Sequence, residues 1–158
     1  MSTVKPIPAG HHTVSPYLAI KNAAKALEFY QKAFGAIETY KLMMPDGRLG
    51  HAEIRLGDSV IMLSDEFPEF GGKAPDTLGG SPVSIHLYVE DVDAFFARAL
   101  AAGARERMPV KDQFYGDRSG QLEDPFGHVW WVATHKEDVA PAELQRRVQA
   151  MCAGKAQV

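Results

Sequence analysis

Asp46-Gly47-Arg48-Leu49-Gly50-His51-Ala52-Glu53 and Gly116-Asp117-Arg118-Ser119-Gly120-Gln121-Leu122-Glu123 read as two versions of one stretch. At an offset of 70 residues Arg48 falls on Arg118, Gly50 on Gly120, Glu53 on Glu123 and Gly57 on Gly127. Upstream, Leu18-Ala19-Ile20 and a helical stretch ending at Gly35 match Leu87-Tyr88-Val89 and a stretch ending at Gly103, at offsets of 69 to 68. A repeat of this length means one supersecondary unit used twice.

Each copy reads strand, helix, then three strands. Residues 14–20 are short and apolar, as a strand requires. Asn22 is placed to cap the helix that follows. Leu27, Tyr30 and Phe34 lie on one helical face, and Gly35 sits where a left-handed residue ends a helix. Residues 39–44 form the next strand, and Pro45-Asp46-Gly47 is a turn signal. Residues 50–56 and 59–63 make a hairpin about Gly57-Asp58. In the second copy residues 85–89 are the strand, Asp91 caps, and Val92, Phe95, Phe96, Ala99 and Leu100 form the buried stripe. Residues 121–123 and 129–133 repeat the hairpin about Asp124-Pro125-Phe126-Gly127. Residues 67–81 carry four glycines and two prolines and read as a linker. The expected layout is a first module at 8–66, the linker at 67–81, a second module at 82–135, and a C-terminal helix and tail at 136–158, all in one domain. Within that last segment the helix runs from Pro141 to about Met151, and residues 153–158 fray.

Composition bounds the function. A hydrophobic fraction of 46% over 158 residues provides for one ordinary core. Seventeen basic against 20 acidic residues, with no basic stripe, give no footprint for nucleic acid. No apolar run nears the roughly 18 residues of a membrane span. Residues 1–12 lack the apolar centre of a secretory signal. Cys152 is the single cysteine, which excludes an intrachain disulfide and fits a reducing, cytoplasmic setting.

Two such modules, with Glu28-Phe29-Tyr30 and Phe34-Gly35 in the first helix and Asp124-Pro125-Phe126-Gly127-His128 before the last strand, resemble the vicinal-oxygen-chelate superfamily. Ser15-Pro16-Tyr17-Leu18, Met44-Pro45-Asp46-Gly47-Arg48 and the stretch from Gly79-Gly80-Ser81-Pro82 to Val89-Glu90-Asp91-Val92-Asp93 are similar to its PhnB-like glyoxalase/bleomycin-resistance/dioxygenase branch. The resemblance covers residues 13–135. It implies an α+β fold in which tandem βαβββ modules form an eight-stranded open, cupped barrel. In glyoxalase-like members the cup holds a divalent metal, with one ligand from each of four strands, and many members are homodimers.

Those ligands are His, Glu or Gln on the first and last strands of each module. The resemblance places the positions at Ser15, Ser84, Trp131 and Ile61, or at Met62 if the register slips by one. A neutral hydroxyl is a poor ligand, and an indole offers no lone pair to a metal. No cofactor is therefore expected at these positions, and glyoxalase chemistry would lack its Lewis acid.

If Ser15 and Ser84 face inward, strand alternation turns Tyr17, Ala19, His86 and Tyr88 inward too, and Ile85, Leu87 and Val89 toward the helices. Ala52, Ile54 and Leu56 are the buried side of the third strand, so His51, Glu53 and Arg55 face the cup, with Gln121 and Glu123 as repeat mates. The expected ligand-binding set is Tyr17, His51, Glu53, His86, Tyr88, Gln121, Glu123 and Trp131. His86 and Glu123 are the catalytic candidates, as an acid–base pair. A displaced divalent-metal site from His86, His51, Glu53 and Glu123 is an alternative. So are ion pairs of Glu53 and Glu123 with Arg55 and Arg118, and plain packing of the tyrosines. Trp130 and Trp131 point to opposite sides, so one is core. His11-His12 reads as incidental. The expected function is metal-free binding of a small aromatic or amphipathic molecule by a homodimer. The rival is a metal-dependent lyase, isomerase or dioxygenase centred on His86.

Overall fold

A computed structural model describes residues 4–155. The first module runs β1 (Tyr17–Ile20), α1 (Ala23–Phe34), β2 (Ile37–Met43), β3 (Leu49–Leu56) and β4 (Ser59–Asp65). The linker holds a single 3-10 turn, Pro68–Phe70, and a short helix α2 (Pro75–Leu78). The second module runs β5 (Ser84–Tyr88), α3 (Val92–Ala101), β6 (Arg105–Asp112), β7 (Asp117–Glu123) and β8 (Val129–His135), and α4 (Pro141–Lys155) follows. The strands form two four-stranded mixed sheets, ordered β1-β4-β3-β2 and β5-β8-β7-β6. In each, the outer first strand runs parallel to the last strand of its module, and the remaining pairs are antiparallel. This is the expected α+β arrangement of tandem βαβββ modules, with the two sheets left open rather than closed into one barrel.

The helices decide which face of each sheet is buried. Ala23, Ala26, Leu27, Tyr30, Ala33 and Phe34 line one side of α1, and Val92, Phe95, Phe96 and Ala99 one side of α3. The helices pack against one another, with Phe34 5.1 Å from Phe95 and 4.8 Å from Trp130 between ring centroids. The helix-facing residues of both sheets join the same hydrophobic cluster, among them Ile54, Ile61 and Leu63 of the first module and Leu122, Trp130 and Val132 of the second. Ile85, Leu87 and Val89 pack against it, as alternation requires. Polar ties also cross the seam, among them His128 Nε2 at 3.3 Å from the Ala19 carbonyl. The Arg98 guanidinium donates to the Ala33 carbonyl in the last turn of α1, at 2.8 Å. The Tyr30 hydroxyl donates to buried Asp124.

Several local expectations are corrected. Asn22 lies in the left-handed region (φ 62°) and makes no capping bond; Asp65 supplies the acceptor instead, taking Ala23 N–H and Leu49 N–H on its two oxygens. Asp91 does cap α3, through Ala94 N–H. The first strand begins at Tyr17, because Pro16 has no N–H to enter the ladder and contributes only its carbonyl, to Met62 N–H. The strand before the last turn is longer than expected and starts at Asp117. Of the tail expected to fray, residues 153–155 are helical and residues 156–158 lie outside the described part.

The strand pairing also re-registers the repeat. One row across the first sheet is Tyr17, Met62, Glu53 and Tyr40. Its counterpart in the second is His86, Trp131, Gln121 and Met108. Glu53 thus matches Gln121 rather than Glu123. The offset of 70 aligns the turn glycines Gly57 and Gly127, whereas the rows place Glu53 on Gln121 and Met62 on Trp131, with one more residue between Gln121 and Trp131 than between Glu53 and Met62.

Candidate functional site

The face of each sheet turned away from the helices is open. On the first sheet this face holds a chain of polar contacts. The Tyr17 hydroxyl lies 3.0 Å from His51 Nδ1, His51 Nε2 lies 3.5 Å from Glu53 Oε1, and His11 Nε2 lies 3.3 Å from the same oxygen. A consistent arrangement has Tyr17 donating to Nδ1 while both Nε2–H groups point at the carboxylate. Sequence reasoning assembled Tyr17, His51 and Glu53 correctly on one face. It missed His11, which an irregular N-terminal segment lays across β3. His11 Nδ1 is buried with no hydrogen-bond partner. Arg55 does not pair with Glu53; it bonds the Gly57 carbonyl.

The second open face is aromatic in its middle. The His86 and Tyr88 rings lie against one another at 4.7 Å between centroids, tilted by 46°, and half-buried Trp131 stands between His86 and Gln121 in the strand row. Trp130, its neighbour, is wholly buried in the core. At one end of this face Glu123 shares a row with Ser84, Val129 and Arg105. Its two oxygens are taken by Arg105 at 2.9 Å and Arg107 at 3.3 Å. Arg118, expected as its partner, binds Asp93 and Asp112 instead. At the other end the Tyr88 hydroxyl donates to Asp117, whose second oxygen accepts from His135. That donated bond, with burial second, raises the Tyr88 pKa; Asp117 and then Asp138 raise that of His135. A cleft of about 840 Å³ opens beside His86 and Tyr88, bounded by the β3–β4 turn, Phe95 and Arg98.

The positions that the resemblance assigns to metal ligands carry residues unlike the usual donors. Ser84 opens β5 and Ser15 precedes β1. On β4 the open-face residue is Met62, paired with Tyr17 and Glu53, while Ile61 pairs with Ile54 in the core. The slipped register is therefore the right one, and Ile61 is corrected to Met62. Ser, Ser, Met and Trp do not make a nitrogen and oxygen donor set for a divalent ion. The alternative quartet is divided: His51 and Glu53 belong to one sheet, His86 and Glu123 to the other. Among the described residues no three His, Cys, Asp or Glu side chains are grouped to hold a metal ion. His86 and Glu123 share no hydrogen bond, so the acid–base pair has no contact behind it. No helix among the described residues is long and apolar enough to cross a membrane.

Comparison with known proteins agrees with this architecture. Residues 10–132 match the Glyoxalase/Bleomycin resistance protein/Dioxygenase superfamily. The Mycobacterium bovis protein Mb0911c is 47% identical over 135 residues, covering 84% of this chain and 89% of that one. Among solved structures, TioX from Micromonospora sp. ML1 is similar with a TM-score of 0.62 at 25% identity, covering 78% of this chain and 98% of TioX. The PhnB protein from Bacillus cereus shares the fold with a TM-score of 0.61 at 19% identity, over 78% and 99% of the two chains. The tandem modules, the open sheets and the match across most of the sequence identify the chain as a member of the glyoxalase/bleomycin resistance protein/dioxygenase superfamily.

Proposed function

We propose that this chain binds a small aromatic or amphipathic molecule on the open face of its second sheet, without a metal at the positions where the family's metal enzymes carry ligands. One observation carries the reading: Trp131, at a position the resemblance assigns to a metal ligand, stands half-buried in a strand row with His86 and the Gln121 amide. An indole there gives a planar apolar surface, His86 and Tyr88 extend it, and Gln121 offers both a donor and an acceptor at its edge. An apolar surface with a few convergent polar groups is the usual form of a small-molecule site. We also propose a homodimer. Tyr17, Tyr40 and Tyr88 are half or more exposed, and Leu42, Met43 and Met108 are exposed to a lesser degree; β2 and β6 are sheet edges.

The test has two arms. Trp130 and Trp131 supply two indole N–H signals, assigned by Trp131→Phe. Planar aromatic compounds should shift the Trp131 signal saturably and leave that of Trp130 nearly unmoved. Elemental analysis of untagged protein should find far less than one divalent ion per chain. About one ion per chain, with a catalytic activity lost to chelator, would favour the metal-dependent lyase, isomerase or dioxygenase instead. A sedimentation mass of a single chain would contradict the dimer.

A further inference from the structure

Tyr88 stands on the open face, yet its hydroxyl proton is already committed. It donates to Asp117 Oδ2 at 3.0 Å. Asp117 is almost wholly buried, at 5% exposure. Its other oxygen lies 2.7 Å from His135 Nδ1, and His135 Nε2 lies 3.0 Å from Asp138 Oδ1. Both ring nitrogens face carboxylate oxygens, and in the imidazolium form both donate. His135 occupies one oxygen of Asp117, a group that would be costly to bury unpartnered. The other oxygen takes the phenol proton of Tyr88.

A phenol has one proton to give. With it turned inward, only the Oη lone pairs remain for a molecule on the open face. We propose that Tyr88 is a hydrogen-bond acceptor for the bound molecule, held in that role by the positioning residues Asp117 and His135, and that the ligand is an aromatic compound bearing a hydroxyl or amine donor. This deepens, and rests on, the reading of the second sheet as the binding face. Tyr88 lies two residues from His86 along β5, which sets the donor within about 7 Å of the ring that stacks beside His86 and Trp131.

The probes are 2-naphthol and 2-methoxynaphthalene, which share a ring system and differ in the ability to donate. Both are titrated while the Trp131 indole signal is followed by NMR. The wild-type protein should bind 2-naphthol about tenfold more tightly, the value of one satisfied hydrogen bond. In Tyr88→Phe the ratio should fall to about one. Asp117→Asn should do the same for a different reason. His135 retains the amide oxygen, the amide NH₂ turns to Tyr88, and the phenol proton is released toward the ligand. The ratio is the readout, so a general loss of affinity does not imitate the effect. A ratio of one in the wild type, or a tenfold ratio surviving in either variant, overturns the proposal while the aromatic face stands. If neither probe moves the Trp131 signal, the aromatic face falls and the proposal falls with it.

Discussion

The Tyr30 hydroxyl donates to Asp124 Oδ2 at 2.6 Å across 94 residues of sequence, joining the helix of the first module to the turn of the second. Asp124 is buried, and among the described residues no Lys, Arg or His forms an ion pair with it. It is satisfied by four donors: Tyr30, the Trp130 indole, and the backbone N–H groups of Phe126 and His128. The Asp-Pro-x-Gly turn is thus a fastening between modules as well as a turn.

Tyr30→Phe should cost about 1.5–3 kcal/mol, the value of a buried hydrogen bond to a charged acceptor. Asp124→Ala should cost on the order of 3 kcal/mol or more, because it strands several buried donors at once. Urea unfolding at neutral pH measures both. A loss below about 0.5 kcal/mol in each variant would show that the tie carries no stability.

His135 gives a pH dependence with a definite sign. Its folded-state pKa is raised by Asp117 first and Asp138 second. The proton is bound more tightly in the folded protein, so this stabilisation is complete below the ordinary imidazole range. It is lost as the pH rises through the higher folded-state value. The wild type should lose melting temperature relative to His135→Gln as the pH climbs through that window, and the two curves should run parallel on either side. Thermal unfolding at half-unit pH steps checks this. A constant difference throughout would contradict it.

Gly116 has φ of 102°, and a Cβ there would collide with the Glu137 carbonyl oxygen. Both Lys136 N–H and Glu137 N–H bond the Gly116 carbonyl, so this turn anchors the chain as it leaves β8. Gly116→Ala should cost about 2 kcal/mol or more, combining left-handed strain with the clash. Gly57→Ala, also at positive φ but with open space around it, should cost only about 1 kcal/mol. Equal losses at the two sites would remove the clash from the account.

His11→Ala should release the segment before β1 while changing global stability by less than about 1 kcal/mol. Hydrogen exchange should quicken in the backbone of residues 9–15 and stay unchanged in β3, whose amides are held by the sheet. An unaltered rate in the segment would show that the contact with Glu53 does not hold it down.

The strands and helices were legible in the sequence because their apolar spacing obeys one face per element. The same alternation placed Tyr17, His51 and Glu53 together and put one of Trp130 and Trp131 in the core, which the structure shows to be Trp130. What escaped it depends on how segments meet. His11 lies in a segment without periodicity, so only the folded chain shows that it reaches Glu53. The arginines on Glu123 come from β6, whose Pro109 and register shifts blur any strand pattern. Asp117 sits beside a glycine and reads as a turn residue, although it begins a strand and is buried. Counting along the chain could not decide between Ile61 and Met62, since one residue of slip exchanges the two faces of a strand.

The merged core has a consequence for the chain as a polymer. Phe34, Phe95 and Trp130 meet at a boundary that neither repeat could close alone. A half-length fragment would have to find a complementary fragment before it could bury these rings, and its stability would then rise with concentration. The linker turns that encounter between molecules into a search within one molecule, at an effective concentration on the order of millimolar. Nicking it should leave an assembly that holds together when concentrated and unravels on dilution.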